Sequence, residues 1–154
     1  MNLKVFGMTV IAAAAMLAPA AMHAQGRHPR YLHARTDLRA AQFFARVHEE
    51  PNVTRHLEAA ANEIEAAIRE IDRAAVIDRK DFEDHPHIDT RIPRRDRFRK
   101  IVDLLRSARA DIEHEEDNPR AREWRNAAFQ HIDEALNNVH RAATEAKLDH
   151  ELGF

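Results

Sequence analysis

The sequence predicts an all-α protein: an antiparallel up-down-up-down four-helix bundle, made of two repeated helical hairpins and preceded by a signal peptide. Three observations point there. No glycine lies between Gly26 and Gly153, and the chain between them is Ala-rich and charged, with few β-branched residues. That composition favours helix by intrinsic propensity. Apolar residues recur with helical period along four stretches. One hairpin-length pattern then occurs twice, 66 to 68 residues apart.

The N-terminus is read as a signal peptide over residues 1–24. Met1-Asn2-Leu3-Lys4 is a short positive segment, Val5 to Leu17 is apolar apart from Gly7 and Thr9, and Ala18 to Ala24 supplies small residues before Gln25. This is the tripartite layout of secretory signals. The apolar run is short of the roughly 20 residues of a comfortable membrane span. Cleavage after Ala24 or Ala20 leaves about 130 residues, enough for one domain around one core. The expected location is periplasmic or secreted, with no transmembrane anchor after cleavage.

The bundle is assigned to residues 25–154, with hairpins at 31–78 and 95–149 and a linker at 79–94. The first helix, about Tyr31 to Glu50, carries Ala34, Leu38, Ala41, Phe44 and Ala45, with Phe43 and Val47 beside them. From Thr54, whose position suits an N-cap, the stripe runs Leu57, Ala60, Ala61, Ile64, Ala67, Ile68, Ile71, Ala74, Ala75. The third runs Phe98, Ile101, Val102, Leu105, Ala108, Ile112. The fourth follows Pro119, which suits a first helical turn, and runs Ala121, Trp124, Ala128, Ile132, Ala135, Leu136, Val139, Ala142, Ala143, Ala146.

The repeat aligns Ile64–Ala75 with Ile132–Ala143, Asp37-Leu38 with Asp103-Leu104, and His48-Glu49-Glu50 with His114-Glu115-Glu116. Neither hairpin can bury its stripe alone, whereas two stacked hairpins can. Ile64, Ile68, Ile71, Ile132, Leu136 and Val139 hold matching places and are the expected core.

Tyr31 to Ala41, Asp84-His85-Pro86, Glu115 to Pro119 and His131 to Ala135 together resemble a group of small exported bacterial helical proteins. The resemblance spans nearly the whole chain beyond the signal. It implies export and a helical fold; no chemistry and no functional residue come with it.

Composition excludes much. There is no Cys, and Met1, Met8, Met16 and Met22 all fall within the signal. Disulfides, thiolate nucleophiles and thiolate or thioether metal sites are therefore out. Phosphate-cradling glycine loops are absent. Ser107 is the only serine, which argues against serine catalysis. Net charge is −2, one unit more negative once Lys4 leaves, so no global field favours nucleic acid.

Three features can carry chemistry. In an up-down-up-down bundle both hairpin turns share one end, so His48, Glu49, His114 and Glu115 would meet there, with Glu50, Glu116 and Asp117 close by. Imidazole and carboxylate suit a divalent cation. The competing reading is electrostatic: acids before each turn offset Arg55 or Arg120, Arg122 and Arg125 after it. Second, His85 and His87 in the linker point the same way if extended, flanked by Asp84 and Asp89, and suit Zn, Ni or Cu(II). A solvated loop docked through Phe82 and Ile88 is the plainer account. Third, Arg91, Arg94, Arg95, Arg97 and Arg99, with Lys100, form a candidate anion site for planar carboxylate or phosphate recognition. Pairing with Asp81–Asp84 and adjacent helices competes with it. His131, at the edge of the fourth stripe, reads as a boundary histidine bonded to a carboxylate of the next helix.

No cofactor is expected, a divalent metal being the one candidate. Two classes of function remain. One is a non-catalytic exported bundle that binds an envelope protein or an anionic envelope component. The other is a His/carboxylate metal-binding or haem-binding bundle. No nucleophile or acid–base pair stands out for an enzyme.

Overall fold

The computed structural model describes residues 29–77, 91–114, 119, 121–148 and 150. The N-terminal segment read as a signal peptide, the part of the linker with His85 and His87, and Glu115 to Asn118 lie outside the described residues. Within them the fold is all-helical, with four helices: α1 (Pro29–Ala45), α2 (Pro51–Ile77), α3 (Arg94–Glu113) and α4 (Arg122–Glu145).

Each helix forms where its stripe begins and ends where capping chemistry allows. Pro51 opens α2, and the Glu50 carbonyl accepts the first turn's bond from Thr54 N–H. Thr54 is therefore not the N-cap that its position suggested. Its hydroxyl instead accepts from Glu49 N–H and donates to Glu49 C=O, both at 2.9 Å, which fixes the entry of the chain into the helix. Pro119 lies ahead of α4 rather than in its first turn. At the other end of α4, Lys147 takes a positive φ of 58°. Its N–H and that of Leu148 return to Thr144 and Ala143 carbonyls, a left-handed helix stop.

The stripes are buried as their period requires. Leu57, Ala60, Ala61, Ile64, Ala67, Ile71 and Ala74 of α2 join Ala128, Ile132, Ala135, Val139, Ala142 and Ala143 of α4 in one core. Phe98, Ile101, Val102, Leu104, Leu105, Ala108 and Ile112 of α3 and Leu38, Ala41 and Phe44 of α1 complete it. Two of the six expected core positions differ. Ile68 and Leu136 are only half-buried at the margin, one helical step off the line followed by Ile64, Ala67, Ile71 and Ala74.

Ion pairs fix the direction of every helix. Arg35 Nε donates to Asp72 Oδ1 at 2.7 Å and Gln42 Nε2 to the Ala61 carbonyl at 3.3 Å, so α1 and α2 run antiparallel. Glu63 meets His131 at 2.7 Å and Arg73 lies over Trp124, so α2 and α4 are antiparallel as well. Arg30 at the start of α1 donates to the His114 carbonyl at the end of α3, at 2.8 Å. Arg94 and Arg97 at the start of α3 pair with Glu49 and Glu50, just past the end of α1. Arg109 pairs with Asp133 at 3.0 Å, joining α3 to α4.

The topology is therefore up-down-down-up, not up-down-up-down. Helices α1 and α2, α2 and α4, α4 and α3, and α3 and α1 are neighbours. The two parallel pairs, α2 with α3 and α1 with α4, sit across the diagonals. Ile77 ends α2 at one end of the bundle, and α3 begins at the other. A 27-residue helix rises about 40 Å, within the roughly 50 Å reach of the chain between Ile77 and Arg94. The up-down-up-down expectation put both hairpin turns at one end, whereas the ties of Arg30 to His114 and of Arg97 to Glu49 put the end of α3 and the end of α1 at opposite ends.

Urea denaturation tests this core. Ile64→Ala and Ile132→Ala should each cost about 2–5 kcal/mol, and Ile68→Ala and Leu136→Ala clearly less. Ala67→Leu should cost about 1–3 kcal/mol by overpacking the α2–α4 contact. A stabilising Ala67→Leu would mean that the two helices are not closely packed.

Candidate functional site

The first His-Glu-Glu and the arginine run, proposed as separate sites, meet. Helix α3 starts beside the α1–α2 turn, which places Arg94 and Arg97 against Glu49 and Glu50. Glu49 is nearly buried, with its side chain 9% exposed, and Arg97 is 14% exposed. Arg97 Nη2 bonds Glu49 Oε1, and Arg94 Nε lies 3.0 Å from Glu49 Oε2. Arg94 also forks onto Glu50, with Nη1 3.2 Å from Oε1 and Nη2 on Oε2. Burial lowers the affinity of Arg97 for its proton. Glu50 is exposed; its own backbone hydrogen bond, then Arg94, holds its carboxyl below the ordinary value. The buried part of the cluster is an interior ion pair with paired charges, the condition under which such groups are tolerated.

The two His-Glu-Glu turns do not share an end. His48 sits exposed beside the Glu49 cluster, while His114, also exposed, closes α3 at the far end, where its carbonyl accepts from Arg30. The shared cap proposed for His48, Glu49, His114 and Glu115 required the up-down-up-down topology and fails with it. Glu49, moreover, is taken by two guanidinium groups. Glu115, His85 and His87 lie outside the described residues. Among the described residues no three His, Asp or Glu side chains are grouped to hold a metal ion. His131 has the partner expected of it: Nδ1 lies 2.7 Å from Glu63 Oε2, across the α2–α4 contact.

The arginine run divides by helical phase. Arg94 and Arg97 turn inward to Glu49, and Arg95 pairs with Asp96 beside it at 3.3 Å. Arg91, ahead of α3, is exposed, and so are Arg95, Arg99, Lys100 and Arg106 on that helix. Of these, Arg106 was not foreseen, because it lies beyond the contiguous run; the helical spacing from Arg95 and Arg99 would have found it. Compared with known proteins, the chain matches no family model, no curated protein sequence and no solved structure.

One further feature was missed. A cleft of about 200 Å³ opens between α2 and α4, lined by His56, His140, Arg141, Thr144 and Glu145. His56 lies more than eighty positions from the other four in sequence, and only the antiparallel register of α2 and α4 brings it to them.

Two measurements test the ion cluster. Glu49→Ala leaves Arg97 buried without its partner and should cost about 3–5 kcal/mol in urea; Glu50→Ala, at an exposed pair, should cost much less. Equal losses would show that burial does not set the strength of the cluster. Glu50 should also contribute to the pH dependence. Its folded-state carboxyl holds its proton less tightly than in the unfolded chain, so its contribution is present above the unfolded value, near pH 4.3, and is lost as pH falls through the folded value. The stability gap between the native protein and Glu50→Gln should be open at neutral pH and close in acid.

Proposed function

We propose that the protein is an exported, non-catalytic helical bundle that docks on an anionic component of the cell envelope through the outer face of α3. The observation that carries this reading is the division of the arginine run. The inward members hold the bundle closed, and Arg95, Arg99, Lys100 and Arg106 are exposed on α3, with Arg91 just ahead of its first turn. Asp96, at Arg95, Asp103 and Glu113, which pairs with Arg109, are the acids of that face. The apolar side of α3 is committed to the core, so docking is electrostatic and involves no insertion. Among the described residues no helix is long and apolar enough to cross a membrane. Export rests on the tripartite N-terminus.

The partner chemistry is a surface of phosphate groups, the commonest fixed anions at a membrane. Guanidinium groups fork onto phosphate oxygens, and each basic side chain near such a surface contributes about 1 kcal/mol. The alternative of a His/carboxylate metal or haem bundle has less support. Its main ligand pair, His48 and His114, is split between the two ends, and His131 is held by Glu63.

Vesicle flotation provides the test. The protein should float with phosphatidylglycerol/phosphatidylcholine vesicles and not with phosphatidylcholine alone, and salt should release it. Substituting Arg95, Arg99 and Lys100 together by Gln should weaken binding about a hundredfold, at about 1 kcal/mol per cation. Equal binding to both vesicle types, or unchanged binding by the triple variant, would remove the basis for this reading.

A further inference from the structure

The internal repeat gives the cleft between α2 and α4 a built-in reference. Glu63 and His131 are in hydrogen-bond contact and 68 residues apart, which is also the offset of the repeat. A residue touching its own repeat equivalent across an antiparallel pair marks a local two-fold axis. That axis relates the two ends of the α2–α4 contact. It carries Arg141 onto Arg73, His56 onto Trp124 and His140 onto Asp72.

At the Trp124 end the equivalent groove is filled. Trp124 packs against the core, the Arg73 guanidinium lies 5.1 Å from its ring centre, and Asp72 is bound to Arg35. At the other end the indole is replaced by the smaller imidazole of His56, and the acid by His140. The result is a cleft of about 200 Å³ with Arg141 on its wall. The substitution changes both volume and charge. An aromatic and an acid become two imidazoles, with an arginine kept in place.

We propose that this cleft is a binding site for a small tetrahedral oxyanion of the phosphate class. Arg141 supplies a permanently charged planar fork. The rings of His56 and His140 supply N–H donors from the two facing helices. A cleft lined by such groups from two facing helices, His56 on α2 and Arg141 on α4, suits a tetrahedral anion better than a flat one. Glu145 offers an acceptor for the proton that a monohydrogen phosphate keeps. The Thr144 hydroxyl donates to the His140 carbonyl at 3.1 Å and so presents its oxygen as a second acceptor. The charge of Arg141 disfavours a bare cation in the same place. This site is separate from the α3 face and does not depend on the docking proposed for it.

The experiment is a titration of the whole protein with inorganic phosphate, ionic strength being held constant with chloride. Thermal unfolding and the histidine ring resonances are both followed. Phosphate should raise the melting temperature saturably and move the His56 and His140 signals but not that of His131. Arg141→Gln, at an exposed position, should weaken binding about tenfold. His56→Trp should keep the fold, since a tryptophan already occupies the equivalent position under Arg73, and should abolish the response by filling the cleft. If His56→Trp does not fold, Arg141→Gln decides alone. A response unaffected by either variant overturns the proposal. So does a response lost only when Arg95, Arg99 and Lys100 are substituted, which places phosphate on α3 and leaves the docking reading intact. Zinc binding at His56 and His140 without a phosphate response overturns it too.

Discussion

The close antiparallel contact of α2 with α4 is the constraint on which the rest of the bundle depends. It is the most extensive of the four helix contacts. Its composition explains why. Ala60, Ala67 and Ala74 recur at seven-residue spacing on α2, and Ala128, Ala135 and Ala142 do so on α4, all fully buried. The Glu63–His131 bond sets a register in which Ala60 is level with Ala135 and Ala67 with Ala128. Layers of small side chains alternate with layers of Leu, Ile and Val. Helix separation depends on the side chains at the contact, so alanine layers draw the two backbones together. Antiparallel pairing also sets opposite ends of the two helix dipoles side by side.

Once that contact is set, the outer helices have little freedom. Helix α1 is antiparallel to α2 and α3 to α4, so α1 and α3 run in opposite directions, and their mutual contact puts them on the same side of the α2–α4 pair. The start of α3 then falls beside the α1–α2 turn, and the bundle closes there through Glu49, Arg94 and Arg97. Repeat symmetry does not extend to this cluster, since Arg97 is equivalent to Tyr31, itself a buried core residue. One end of the hairpin pair is thus held by charge, and its counterpart presents an aromatic ring at the same place.

The four helices, their stripes and the hairpin repeat were legible because each rests on local period: Leu57, Ile64 and Ile71 are buried where a helix through them must bury them. Ile68 and Leu136 were misplaced for a local reason as well. A stripe drawn on a helical wheel is wider than the seam two helices can seal, and only packing decides which edge is left out. Topology was not legible, since both arrangements of two hairpins bury the same stripes. What separates them is long-range: Arg30 against His114 and Arg97 against Glu49. The pairing of His48 with His114 failed with the topology. The arginine run was legible as a cluster but not as two populations, because Arg94 and Arg97 look no different from Arg95 and Arg99 until the start of α3 is placed beside Glu49.

A duplicated hairpin also separates what the fold requires from what was added to it. Positions that keep their character in both copies are structural: Val53 and Ala121, Ala60 and Ala128, Ile64 and Ile132, and Ile71 and Val139 hold the seam. Half-buried Ile68 and Leu136 match even at its margin. Positions that differ between copies are not dictated by the seam, because the same backbone accepts either residue. Two such differences change what the surface offers to a ligand. The first is Trp124 with Asp72 against His56 with His140, where one copy fills its groove and the other opens it toward an arginine. The second is α3 against α1. At the equivalents of Arg95, Arg99, Lys100 and Arg106, α1 has Pro29, His33, Ala34 and Ala40, with Ala34 and Ala40 buried. At those four places the basic residues belong to α3 alone, while the arginines of α1, Arg30, Arg35 and Arg39, stand elsewhere on it. The two outer helices thus differ in environment as well as sequence: Ala34 and Ala40 are sealed in the core where Lys100 and Arg106 stand on the surface, so the repeat is closely kept along the α2–α4 seam and relaxed in the helices packed outside it.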